Sequence, residues 1–166
     1  VRISVNLSPR QFQHGALAEQ IRAILDITGL APDFLELEIT ESTIMSDIEL
    51  AIVNMQKLTD MGMQLAIDDF GTGYSSLSYL KRFPVTKLKI DKAFVQDITT
   101  NANDAAITKA IIALAHSMNL LAVAEGVETK EQLAFLKDHG CNEYQGFFFS
   151  RAVSAIEATE ILAKQR

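Results

Sequence analysis

The stretch Gln64-Leu65-Ala66-Ile67-Asp68-Asp69-Phe70-Gly71-Thr72-Gly73 joins an apolar run, two adjacent carboxylates and a glycine-rich turn. Gln64 to Asp68 has the length and composition of a buried strand. The two aspartates at its end are costly to bury without partners. Gly71 and Gly73 fit a tight turn that needs positive φ. Whether the neighbouring strands end in the same way decides the fold.

Reading outward, the chain alternates strand and helix periodicity. Downstream, a helical stretch near Ser76 to Arg82 precedes a strand at Lys87 to Ile90. Ile107, Ile111, Leu114, Ala115 and Met118 then share a helix face, and Leu120 to Ala124 reads as the fifth strand. Thr129 with Gln132 forms a capping box for a helix that stops at Gly140. A short strand near Glu143 to Gln145 follows. Ser154 with Glu157 opens a last helix expected to bury Ile161 and Leu162. Upstream, Ile3, Val5 and Leu7 alternate as in a strand. Ser8 and Pro9 then start a helical region with Leu17, Ile21, Ile24, Leu25 and Thr28 on its stripe, closed by Gly29. Phe34 to Ile39 is a strand, and Ile48, Ile52, Met55 and Leu58 a helical stripe ending at Gly62.

Alternating strands and helices imply a parallel sheet with right-handed crossovers. Each expected strand ends in a site-type residue: Asn6, Glu38, Asp68 with Asp69, Lys89, Glu125 and Gln145. Their spacings are 32, 30, 21, 36 and 20 residues, each about one strand-helix unit. In an open doubly wound sheet only the strands beside the switch point share a crevice. In a barrel all C-terminal strand ends converge on one mouth. The set therefore predicts an α/β fold of the TIM-type (β/α)8 barrel class, with about six of the eight units in this chain. The other two are expected before Val1, which would leave an open sheet edge.

Composition narrows the function. With 166 residues and 48% hydrophobic content, one domain is expected. A net charge of −6 argues against a nucleic-acid polymer as partner. Cys141 is the single cysteine, which excludes an internal disulfide and suits a cytoplasmic setting. No apolar run approaches the ~20 residues of a membrane span, although a parent protein could be anchored through other regions.

Four carboxylates in one mouth repel each other, by about 4 kcal/mol per close pair at an effective dielectric of 20. Cations among them relieve that repulsion. Oxygen ligands without Cys or His select a hard ion, Mg²⁺ or Mn²⁺. The doubled Asp68-Asp69 suits a site for two ions, the arrangement that serves in-line attack on a phosphodiester. Lys89, held charged by its neighbours, suits orienting a water or neutralising phosphate rather than Schiff-base chemistry. An enolase-like site with Lys89 and Mg²⁺ shares these features but makes less use of two adjacent aspartates. His14, His116 and His139 fall on or near helices and read as structural.

Six stretches in order then resemble the signatures of EAL-domain cyclic di-GMP phosphodiesterases: 4–8 (SVNLS), 38–42 (EITES), 68–73 (DDFGTG), 87–91 (KLKID), 124–129 (AEGVET) and 144–146 (YQG). The resemblance implies that residues 1-166 are the C-terminal three-quarters or so of a single EAL-type barrel, one that hydrolyses cyclic di-GMP to the linear dinucleotide. It implies Asn6, Glu38, Asp68, Asp69 and Glu125 as ligands of two Mg²⁺ or Mn²⁺ ions, with Glu125 also counted as catalytic. Lys89 and Gln145 would position the attacking water, Glu41 would support the loop of Gly71 and Gly73, and Glu128 would lie near the ligand. It also implies a homodimer through the helix after that loop, and a sensory or cyclase-like domain upstream in the parent protein. The Glu-Ala-Leu motif that names the family is not in the chain, and Ser150-Arg151-Ala152 stands where the family often has Pro. A non-catalytic cyclic di-GMP receptor or protein-interaction module is the alternative; the ligands within this chain, none of them lost, favour the enzyme for the parent, while the absent upstream Glu keeps the receptor reading open for the chain itself.

Overall fold

A computed structural model describes residues 1–73 and 77–164. Its strands are β1 (Ile3–Leu7), β2 (Leu35–Thr40), β3 (Gln64–Phe70), β4 (Lys87–Ile90), β5 (Leu121–Ala124) and β6 (Glu143–Tyr144). All pair in parallel, in the order β1-β2-β3-β4-β5-β6. Consecutive order without reversal is the wall of a TIM-type barrel, not a doubly wound sheet. The connecting helices are α1 (Pro9–Phe12), α2 (Leu17–Thr28), α3 (Glu41–Ser46), α4 (Ile48–Asp60), α5 (Leu77–Leu80), α6 (Lys92–Gln96), α7 (Ala102–Ser117), α8 (Lys130–Asp138) and α9 (Ala155–Ala163).

The pleat divides each strand into two faces. Leu37 and Ile39, Leu65 and Ile67, Leu88 and Ile90, and Ala122 and Ala124 are buried in one apolar cluster with helix residues Met55, Leu58, Ile112 and Leu136. Their strand neighbours Glu36, Glu38, Asp68, Lys87 and Lys89 turn to the concave face and are buried there as well. Side chains two apart share a face, so the carboxylates and lysines of different strands converge.

Several boundaries and burials differ from the sequence reading. A 3-10 turn at Pro32–Phe34 delays β2 to Leu35. The short helices α3 and α6, for which the sequence shows no stripe of their own, begin directly after β2 and one residue after β4. Ser76 lies outside the described residues, and the described α5 is Leu77–Leu80. Ile24 and Ile107 belong to their expected helices but are exposed, the buried face of α7 being Thr108, Ile111, Ile112 and Ala115. α9 buries none of its residues: Leu162 is 41% exposed and Ile161 half-buried. That helix follows the edge strand β6.

Candidate active site

Asn6, Glu38 and Asp68 lie within β1, β2 and β3, near their C-terminal ends, and Lys89 within β4. Glu125 and Gln145 directly follow β5 and β6. Four of these are drawn into one cluster. Lys89 donates to Glu38 and to Glu125 in very short contacts and lies 3.0 Å from Asp68 Oδ1. One carboxylate oxygen from each of Glu38, Asp68 and Glu125 falls within 4.8 Å of the others. Asn6 faces the same group. With its NH₂ turned inward it donates to Glu38 at 3.3 Å and to Asp68 at 3.1 Å. With its oxygen inward it adds another acceptor to the cluster, which only a cation among them would stabilise.

Between β3 and β4 the register shifts from Ile67↔Leu88 to Phe70↔Ile90. Two residues, Asp68 and Asp69, therefore oppose the single Lys89, a β-bulge. Regular pleating would send adjacent side chains to opposite faces, and the bulge breaks that alternation. Asp69 adopts φ 53, a left-handed conformation uncommon outside glycine. Asp69 is not one of the three tightly grouped carboxylates. Its carboxyl sits above its ordinary range, through burial first, then the charge of Asp68 and a hydrogen bond with Asp91.

Burial also raises Glu125, while its hydrogen bond to Lys89 works against the rise. For Lys89, burial alone would favour the neutral amine. Hydrogen bonds to Glu125 and Glu38, with the charges of Glu125 and Asp68, outweigh it and hold the ammonium charged well beyond its usual range. Lys89 is thus the counter-charge of the cluster, and a single positive charge does not balance the carboxylates around it.

Glu41, the first residue of α3, is 2% exposed and accepts from Gly71 N–H at 2.9 Å. Its other oxygen is buried without a hydrogen-bond partner among the described residues, 2.6 Å from where a Cβ on Gly73 would stand. Gly71 has φ +100 and packs against Ile111 and Phe94. Gln145 lines the cavity that also holds Glu38 and Lys89. Its backbone is fixed by bonds to Ala124 O and from Val127 N–H. Glu128 is exposed, lies outside that cavity lining, and has its N–H on Gln132 Oε1 at 2.7 Å. His116 Nε2 pairs with Asn142 Oδ1, His139 with Phe135 O, and His14 Nδ1 accepts from Ala16 N–H. Asp91 was not singled out from sequence, although it caps α6 by accepting from Ala93 N–H at 2.6 Å and touches Asp69. Its place after the Lys89 strand was the available signal.

A family model described as the EAL domain matches residues 1–152. MucR of Pseudomonas aeruginosa, a bifunctional diguanylate cyclase/cyclic di-GMP phosphodiesterase, is 49% identical over 153 residues, 92% of this chain and 22% of that protein. NbdA of the same organism, a cyclic di-GMP phosphodiesterase, is 43% identical over 166 residues, all of this chain and 21% of that protein. The chain thus spans about a fifth of the length of these curated relatives. Among solved structures, the PaMucR phosphodiesterase complex with c-di-GMP superposes with TM-score 0.92 at 48% identity, covering 95% of this chain and 64% of that one. The EAL domain of Mycobacterium smegmatis DcpA gives 0.94 at 43% identity, covering 100% and 74%. A manganese/cy-diGMP complex of Klebsiella pneumoniae BlrP1 gives 0.82 at 36% identity, covering 90% and 38%.

Proposed function

The chain belongs to the EAL domain family, and from that premise we propose that it is the C-terminal three-quarters or so of a barrel that hydrolyses cyclic di-GMP to the linear dinucleotide. The observation that carries the reading is the convergence of Glu38, Asp68 and Glu125 on Lys89 at the C-terminal ends of parallel strands. The site opens where barrel enzymes hold their substrates.

The donor set fits two hard divalent cations, Mg²⁺ or Mn²⁺. It is all oxygen and carries excess negative charge, and a manganese complex is known for the relative BlrP1. Asn6, Glu38, Asp68 and Glu125 would hold them, with Asp69 on the second. Bound there, the ions would neutralise phosphate charge and lower the pKa of a water. The protein's own part is positioning. Lys89, kept charged by Glu125 and Glu38, would donate to the attacking water or to a phosphoryl oxygen. Gln145, which lines the same cavity, would help to fix that water. Glu41 would set the course of the Gly71–Gly73 turn through its bond to Gly71 N–H and so support Asp69. The helix beyond that turn would form a homodimer contact. The domain would act in the cytoplasm, joined to a sensory or cyclase-like domain in its parent. Among the described residues, no helix is long and apolar enough to cross a membrane.

Incubation with cyclic di-GMP and Mn²⁺ or Mg²⁺, with Glu125→Ala as control, tests the reading. The chain itself and a version extended upstream are both assayed. Release of the linear dinucleotide by either form, abolished by Glu125→Ala, is the expected result. Binding without cleavage by both forms would replace the enzyme with a receptor. Neither binding nor cleavage would overturn both.

A further inference from the structure

The concave face is charged at two levels, and the site described above uses only the upper one. Two residues before Glu38, Lys89 and Gln145, on β2, β4 and β6, stand Glu36, Lys87 and Glu143. Lys87 Nζ lies 3.1 Å from Glu36 Oε2 on β2 and donates to Glu143 Oε2 on β6 at 2.6 Å. Ser4 Oγ on β1 donates to Glu36 Oε1 at 3.0 Å, and the guanidinium of Arg2, just before β1, lies 3.9 Å from Glu36 Oε2. Ala66, the β3 residue paired with Lys87, contributes only a methyl group. Lys87 can therefore reach across β3 to Glu36.

Stability does not account for this layer. Glu36 is 3% exposed and Lys87 7%. A buried ion pair contributes little or nothing against apolar residues of the same volume. Barrel interiors are ordinarily filled by branched apolar side chains drawn from alternate strands. What the pairs do fix is distance. A lysine on β4 ion-paired to β2 and hydrogen-bonded to the Glu143 carboxylate of β6 ties those strands together about 7 Å below the level where the next inward residues form the site.

We propose that Lys87 is a positioning residue: its bridge to Glu36 and Glu143 sets the separation of the strands that carry Glu38, Lys89 and Gln145. The inference rests on the reading of the upper cluster as a divalent-cation site. Manganese binding to the full-length protein tests it, measured as the loss of free Mn²⁺ signal in electron paramagnetic resonance, with Glu125→Ala as blank. Thermal unfolding is followed in parallel. Lys87→Met leaves the buried Glu36 carboxylate with only Ser4 and the more distant Arg2 and could unfold, so Lys87→Met with Glu36→Gln is the decisive variant. It is expected to melt close to the parent yet bind Mn²⁺ about tenfold more weakly, the usual size of an effect on ligand positioning. Lys87→Arg, which can still reach both carboxylates, is expected to retain the affinity. Unchanged affinity in the folded double variant would overturn the proposal. So would a weakening that follows the melting temperature and is not rescued by arginine. Absence of any Glu125-dependent Mn²⁺ binding in the parent would remove the cation site itself, and this inference with it.

Discussion

Cys141 shows how far a single environment can move one group. Its thiol is 6% exposed, donating toward Ala122 O at 3.4 Å and Glu143 O at 3.3 Å. Burial pushes its pKa from 9.0 up to about 11, against a smaller pull from backbone hydrogen bonds. Between those values the folded protein keeps a proton that the unfolded chain releases. The stability this contributes is complete below about pH 9 and is lost as pH rises through about 11. Two units correspond to about 3 kcal/mol at the limit. Urea unfolding at pH 8 and pH 10.5 is expected to show a larger loss for the parent than for Cys141→Ala, which has no thiol to titrate. Equal losses would mean that the thiol is not shielded as the structure has it. At pH 8 the same shielding should leave Cys141 unreactive toward iodoacetamide until the protein is unfolded.

Among the elements, α8 and α9 carry the same capping box with different consequences. In α8, Gln132 is buried. Its Oε1 accepts from Glu128 N–H at 2.7 Å and Thr129 N–H at 2.9 Å, and its Nε2 donates to Gln96 O at 2.9 Å. One side chain both caps α8 and fastens it to the end of α6. In α9, Glu157 repeats the box with Ser154 on an exposed helix. Gln132→Ala is therefore expected to destabilise by about 2 kcal/mol or more, because it strands several backbone groups at once. Glu157→Ala should fall within the scatter of ordinary surface changes. Equal shifts in urea midpoint would contradict the tie to α6. Both boxes were legible from Thr129-Gln132 and Ser154-Glu157, since capping depends on residues three apart. The strand-end polar residues were legible for a similar reason, as their spacing repeats with the strand-helix unit. What escaped depends on partners distant in sequence. The bulge at Asp68-Asp69 exists only relative to Lys89 on β4. The bond from Lys87 to Glu143 joins residues 56 apart. α3 and α6 are too short for a periodic stripe. Leu162 has the right spacing for a buried face, but spacing alone does not supply an element to cover it.

At the scale of the whole molecule, the sheet of the described residues ends on two strands that each pair on one side. β1 offers its unpaired backbone groups beside exposed Ile3 and Val5. Past β6, Phe147, Phe148 and Phe149 are exposed, and Ile156 on α9 is 75% exposed. An unpaired edge flanked by apolar side chains recruits another strand. The net charge of −6 opposes association, but at physiological salt such repulsion is screened beyond ~8 Å, while edge pairing and apolar contact act at shorter range. Contact chemistry should therefore win. Residues 1–166 alone are expected to scatter light as a species larger than 18.3 kDa, growing with concentration. Extension upstream should bring the mass back to a defined monomer or dimer. Asn6 lies on β1, so whatever pairs with that edge also steadies one of the proposed ligands. Mn²⁺ affinity is then expected to rise in the same samples whose association falls. A monodisperse 18.3 kDa monomer at high concentration, with affinity unchanged on extension, would show that β1 protects its own edge and holds Asn6 unaided.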